Sequence, residues 1–215
     1  MYGIYSKFKK SQLMKIKVCG MRDTSNIQDL IKIPIDYIGF IFHEKSSRNI
    51  EKIPNIIISK NINKVGVFVN KSVKFILKKG KEFNLDYIQL HGNETPVFCE
   101  EIRKNYKIIK AFNIAADFNF ELLNKYENTC DVFLFDAFGK KPGGNGVTFN
   151  WDLLQKYQGK TPFLLSGGIN ETMATEIKKI KHAKFIGIDI NSGFEIKPAL
   201  KNINKIKLFY NELQN

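Results

Sequence analysis

Eight short apolar segments recur along the chain at intervals of about 25 residues: KIKVC (15–19), DYIGFIF (36–42), KVGVFV (64–69), DYIQL (86–90), KIIKAF (107–112), DVFLF (131–135), TPFLL (161–165) and KFIGIDI (184–190). Unbroken apolar runs followed by turn residues read as strands buried on both faces, as in parallel sheets. Between them lie stretches with helical spacing: Ile27, Leu30 and Ile31; Val73, Ile76 and Leu77; Ile203, Ile206, Phe209 and Leu213. Strand and helix alternating eight times selects an α/β fold of the TIM type, a (β/α)8 barrel, over a doubly wound open sheet. No Pro/Gly/Ser-rich linker divides the 215 residues. Residues 14–215 therefore read as one barrel domain and residues 1–13 as a loosely attached extension.

In such a barrel the C-terminal ends of the strands carry the chemistry. Those ends hold Cys19, His43, Asn70, His91, Asn113, Asp136, the run Ser166-Gly167-Gly168 and the run Asn191-Ser192-Gly193. Asp136 is the single carboxylate delivered by Val132–Phe135, ahead of a loop with Gly139, Gly143, Gly144 and Gly146. The glycine-bearing loops after strands 7 and 8 suit a phosphate, because glycine lets backbone N–H groups approach an anion closely.

The net charge of +13 raises the question of nucleic acid. Only Arg22, Arg48 and Arg103 are arginines, and the lysines are scattered over every predicted helix rather than clustered with aromatics. That distribution describes a solvated lysine-rich surface that attracts anionic small molecules. Nothing approaches the roughly 18 apolar residues of a membrane span. Three cysteines, Cys19, Cys99 and Cys130, lack disulfide or zinc spacing and point to a reducing cytoplasm. Cys99 and Cys130 read as packing residues, Trp151 as part of the barrel's outer wall, His91 as a satisfied strand-end residue and His182 as surface.

The motifs KVCGMRD (17–23), YIGFIFHEKSSRNI (37–50), VGVFVN (65–70), IQLHGNE (88–94), FLFDAFGKKPGGNGVTFNW (133–151), LLSGGIN (164–170) and GIDINSGFE (187–195) together resemble the phosphoribosylanthranilate isomerase family of tryptophan biosynthesis. The resemblance implies an Amadori rearrangement of N-(5-phosphoribosyl)anthranilate, no metal or organic cofactor, and a monomer or homodimer whose partner is a small phosphorylated substrate. Carried over by motif, Cys19 falls on the general base and Asp136 on the general acid. Arg48 falls on the arginine that contacts substrate, and Gly167, Gly168, Asn191, Ser192 and Gly193 fall on the phosphate loops, with Asp189 beside them. Asn191 stands where the family more often has Ser, and Asn150, in place of the usual Asp, is expected to cap the sixth helix. A barrel isomerase of histidine biosynthesis performs a related rearrangement but would use paired aspartates, whereas strand 1 here ends in Cys19.

Ring opening followed by proton removal from C2 needs an acid and a base on opposite sides of the sugar. A free carboxyl has a pKa of about 4 and a thiol about 8.5, so both groups need tuning. Phe133, Phe135 and Phe138 are expected to bury Asp136 and raise its pKa. Asp189 is expected to oppose a Cys19 thiolate. Arg48 is expected across the pocket mouth from the phosphate loops, free to grip a carboxylate with two hydrogen bonds. The alternative is an exposed pair with Glu44 or Glu51.

Overall fold

The computed structural model describes residues 13–137 and 151–215. Nearly all of the N-terminal extension, the glycine loop after Asp136, Phe138 and the expected cap Asn150 lie outside them. Eight parallel strands, β1 (Lys15–Val18), β2 (Tyr37–Ile41), β3 (Asn63–Phe68), β4 (Tyr87–Leu90), β5 (Lys107–Ile114), β6 (Val132–Ala137), β7 (Phe163–Ser166) and β8 (Phe185–Ile190), close into a barrel in chain order. Every apolar segment of the sequence supplies its strand. Among the described residues the helices are fewer than the alternation promised. They are α1 (Thr24–Leu30), α2 (Val73–Glu82), α3 (Pro96–Arg103), α4 (Ala174–Lys178) and α5 (Ile203–Gln214). After β2 the chain runs through residues 42–62 without a helix, and the segments Phe120–Tyr126 and Trp151–Lys156 form 3-10 turns instead. Pro54, which has no N–H to donate, and the β-branched run Ile56-Ile57-Ile58 explain the first departure.

Local chemistry starts the helices where the sequence offers caps. Asp23, Ser72, Thr95 and Asn202 each accept a hydrogen bond from a first-turn N–H of α1, α2, α3 and α5, and Pro96 opens α3. A second device repeats at the barrel floor. Asp36, Asp86 and Asp131 precede β2, β4 and β6, and each carboxylate accepts the backbone N–H of Ile16, Lys64 or Ile108 in the strand before (2.9, 2.7 and 2.8 Å). Each therefore ties an even-numbered strand to its odd-numbered neighbour at the end away from the site.

Two cores fill the fold. Outside the strands, the predicted stripes are buried: Ile27 and Leu30, Ile76, and Ile206, Phe209 and Leu213 pack with Phe133, Phe135 and Phe163, and Trp151 packs against them. Inside the barrel lie Tyr37, Val65, Tyr87, Ile109, Ala111, Val132, Leu134 and Leu164. Above this apolar plug the inward residues become polar, with Lys17, Gln89 and Asp189 all buried. The lysine-rich surface accordingly has exceptions, because Lys17, Lys110 and Lys201 are inside. His182 is not a plain surface residue either: its ring stacks on Tyr157 and its Nε2 lies 2.9 Å from the Tyr157 carbonyl. No helix among the described residues is long and apolar enough to cross a membrane.

The closing seam pairs Lys15–Val18 with Gly187–Ile190. A Cβ on Gly187 would collide with the backbone carbonyl of Lys15, and β7 and β8 shift register there. Gly187→Ala should therefore destabilise the chain by about 3 kcal/mol, the upper range for forcing a group into packed structure. Gly168→Ala meets no atom within 4 Å, and should cost only about 1 kcal/mol of left-handed backbone strain. Urea midpoints at unchanged slope measure both, and equal losses would remove the seam argument.

Candidate active site

Among the described residues, Cys19, Gln89, His91, Asp136, Asp189 and the Ser166–Ile169 turn help to line a cavity of about 230 Å³ at the C-terminal end of the strands. Strand parity explains who faces in. Lys17 and Cys19 share one face of β1, Tyr87 and Gln89 one face of β4, and Leu134 and Asp136 one face of β6. Phe133 and Phe135 take the opposite parity and belong to the outer core, so they do not surround Asp136 as the sequence suggested.

What does face Asp136 is His91, whose Nε2 is 3.4 Å from Oδ2. Gln89 Nε2 lies 3.0 Å from His91 Nδ1. His91 is thus engaged by the site rather than satisfied in the strand end. Its loop is held by Glu94, which accepts the N–H groups of Asn70 and Gly92 at 2.9 Å each and pairs with the buried Lys110 at 3.3 Å. Lys110 also donates to the carbonyls of Leu90, Gly92 and Ala111.

Cys19 is buried just beyond β1. Burial pushes its thiol above the ordinary value, against the pull of Lys17. Below it, Lys17 Nζ sits 2.8 Å from Asp189 Oδ2. Burial pulls both partners toward neutrality. Asp189 and Cys19 outweigh it for Lys17, which is held above an ordinary lysine. In Asp189 burial prevails over Lys17, and the carboxyl takes a proton more readily than a free aspartate.

The two glycine loops interlock. A Cβ on Gly193 would strike the carbonyl of Ile169, and one on Gly167 would strike the backbone of Ala137 at the end of β6. Gly167, Gly168, Asn191 and Ser192 consequently meet on one side of the cavity. Asn191 has a partner that a strand pattern could not reveal: its Oδ1 accepts from Lys201 Nζ at 2.7 Å.

Arg48 departs from expectation. It pairs with neither Glu44, which holds Lys71, nor Glu51. Its Nε and Nη2 grip Glu195 in two-pronged fashion (2.9 and 2.6 Å), beside the β8 loop rather than across from it. Glu195 also accepts from Lys201 Nζ at 2.6 Å and from the Ala199 N–H at 3.1 Å. Burial works against this carboxylate, but its donors hold it below the ordinary range; burial likewise takes Lys201 below an ordinary lysine. The two partners lean opposite ways, and the carboxylate, held by three donors, is the firmer charge. Glu195 and Lys201 escaped the sequence reading because Arg48 lies 147 residues from its partner. Lys17 and Gln89 were findable, since each alternates with an inward neighbour. Among the described residues no group of three His, Cys, Asp or Glu side chains could hold a metal ion.

The sequence matches the profile of the N-(5'phosphoribosyl)anthranilate (PRA) isomerase family over residues 16–212. It is 46% identical over 206 residues to N-(5'-phosphoribosyl)anthranilate isomerase of Parabacteroides distasonis, covering 93% of each chain. It is 44% identical to the Phocaeicola vulgatus enzyme, covering 94% of this chain and 98% of the relative. The crystal structure of phosphoribosyl anthranilate isomerase from Thermotoga maritima superposes with a TM-score of 0.82 at 28% identity, covering 94% of this chain and 98% of that one. A further phosphoribosyl anthranilate isomerase structure, in complex with reduced 1-(o-carboxyphenylamino)-1-deoxyribulose 5-phosphate, superposes at 0.80 with 25% identity, covering 94% and 98%.

The Arg48–Glu195–Lys201 cluster yields a stability prediction. Glu195→Gln strands the fully buried Lys201 ammonium, and removing one partner of a buried pair costs about 3 kcal/mol. Breaking the exposed Lys32–Asp29 pair should change stability by less than about 0.5 kcal/mol. Chemical denaturation of both variants checks the contrast.

Proposed function

The chain belongs to the N-(5'phosphoribosyl)anthranilate (PRA) isomerase family, and from that premise we propose that Cys19 is the general base and Asp136 the general acid of its reaction. The chain is an isomerase that converts N-(5'-phosphoribosyl)anthranilate to 1-(2-carboxyphenylamino)-1-deoxyribulose 5-phosphate. One observation carries the assignment: Cys19 and Asp136 open onto the same cavity from β1 and β6, with the glycine loops of β7 and β8 between them.

A phosphate bound by backbone N–H groups of Gly167, Gly168, Ser192 and Gly193 leaves the ribose spanning the gap from Asp136 to Cys19. Asp136 protonates the ring oxygen while the nitrogen lone pair expels it, giving an open-chain iminium. Cys19, as thiolate, removes the C2 proton, and the resulting enolamine tautomerises to the ketone. His91, with Nε2 toward Oδ2, steadies the carboxylate once its proton has gone. Anchoring the phosphate restrains a flexible sugar and contributes several kcal/mol, on the order expected for positioning.

Arg48 binds the anthranilate carboxylate in this reading. Glu195 takes the Nε/Nη2 edge of the guanidinium, and its other edge suits a second carboxylate, which lysine cannot match. Because Arg48 also holds Glu195, Arg48→Lys now carries a cost in stability that the sequence did not foresee.

Cys19→Ala and Asp136→Asn should each lower kcat about 100-fold or more with the fold intact, the scale of acid–base groups. The readout is loss of fluorescence of freshly made phosphoribosylanthranilate, and near-normal turnover in either variant would remove that residue from the mechanism. Arg48→Lys should lower kcat/KM about tenfold. That loss should shrink for a phosphoribosyl-aniline analogue lacking the carboxylate; an equal loss for both substrates reassigns Arg48 to the sugar, the phosphate or the scaffold.

A further inference from the structure

Lys17 and Cys19 leave β1 on the same face, and Lys17 lies directly opposite Asp189 in the β1–β8 register. One oxygen of Asp189 holds the ammonium at 2.8 Å, and the other, Oδ1, is buried without a hydrogen-bond partner among the described residues. Cys19 and Asp189 both line the cavity, whereas Lys17 lies beneath it, fully buried. A cation sealed from water is therefore flanked by two groups that can each become its anion. The other charges around the thiol are Lys201 from β10 (Leu200–Lys201) and Arg48 after β2, both already committed to Glu195. Around Asp189 stand Asp136 from β6 and His91 after β4, which face each other. Of the lysine and arginine side chains among these groups, Lys17 is the one that Glu195 does not hold.

We infer that Lys17, Asp189 and Cys19 form a cluster with one shared proton, in which Asp189 takes the proton that Cys19 must lose and Lys17 turns its charge from the carboxylate to the thiolate. This rests on the assignment of Cys19 as base. In the resting pair Asp189 is the anion and Cys19 a thiol. On activation the S–H bond breaks, its electron pair stays on sulfur, and an O–H bond forms on Asp189. The cluster's net charge stays at zero, so no ion moves from water into the low-dielectric barrel, the step that makes a lone buried thiolate costly. After the thiolate has taken the C2 proton, Asp189 delivers its proton to C1 as the enolamine becomes the ketone, and the proton that the C2 hydroxyl releases in that step goes to the Asp136 carboxylate, which gave one up at ring opening, so every group ends as it began. Asp189 thereby changes from an obstacle to the thiolate into the store for its proton. Lys17 is a positioning residue that touches no substrate.

The test reads the thiol apart from turnover. In the full chain, iodoacetamide labelling of Cys19 is followed by peptide mass spectrometry from pH 5 to 10, which separates it from Cys99 and Cys130. Asp189→Asn leaves the thiolate as the only anion available to Lys17, so labelling at pH 7 should rise about tenfold and its midpoint should fall. Lys17→Met should lower labelling about tenfold. Both should cut kcat at least about tenfold. Should Lys17→Met fail to fold, the paired variant Lys17→Met/Asp189→Asn, which leaves no lone charge, should also label below the parent chain. A merely structural ion pair would not move thiol reactivity in opposite directions while turnover falls in both. Unchanged or reduced labelling in Asp189→Asn, or raised labelling with full turnover, overturns the inference. Full turnover in Cys19→Ala would instead sink the assignment of the base, and the order of labelling rates would still test the cluster.

Discussion

The seam where β8 hydrogen-bonds β1 sets the geometry on which the rest of the site depends. Its register places Lys17 opposite Asp189, and the bond from the Cys19 N–H to the Ile190 carbonyl, 2.9 Å long, carries the thiol to the cavity wall. A closed barrel has no free edge along which this register could slide, so a slip of one rung would turn every inward residue of β1 outward. Gly187 is the local condition for closure, since only a residue without a Cβ lets β8 approach Lys15 closely enough.

The buried lysines of the described residues are tolerated because each has a carboxylate partner. Lys17 has Asp189, Lys201 has Glu195 and Asn191, and Lys110 has Glu94 with three backbone carbonyls. Each buried ammonium would otherwise impose a desolvation cost of several kcal/mol. The lysine-rich composition therefore hides two populations. Most lysines are solvated, and a few are interior parts whose loss would leave an anion stranded near the substrate cavity.

The loops of the site are coupled in the same way. Lys201 links Asn191 of the β8 loop to Glu195, and Glu195 links both to Arg48 after β2. Asn191, the departure from the family's usual residue, is thus accommodated by an acceptor role that its amide fills. On the opposite wall, Lys110 and Glu94 hold the loop that presents His91 to Asp136. Arg48 and the loop that carries His91 are held by Glu195 and Glu94, neither of which lines the cavity among the described residues.

The sequence by itself determined the eight strands and the strand ends at which chemistry collects. All of these follow from local periodicity and from turn residues acting over a few positions. It also carried the family motifs that single out Cys19 and Asp136. It overstated the helices: Pro54 and the run Ile56-Ile57-Ile58 work against one after β2, and the stretch after β5 forms only the 3-10 turn Phe120–Tyr126. Only the tertiary structure decided which charges meet. Arg48 found Glu195, His91 found Asp136 and Lys17 found Asp189 across separations of 147, 45 and 172 residues. Electrostatic partnership acts over a few ångströms of space and has no period along the chain, so it becomes visible only once the barrel is closed.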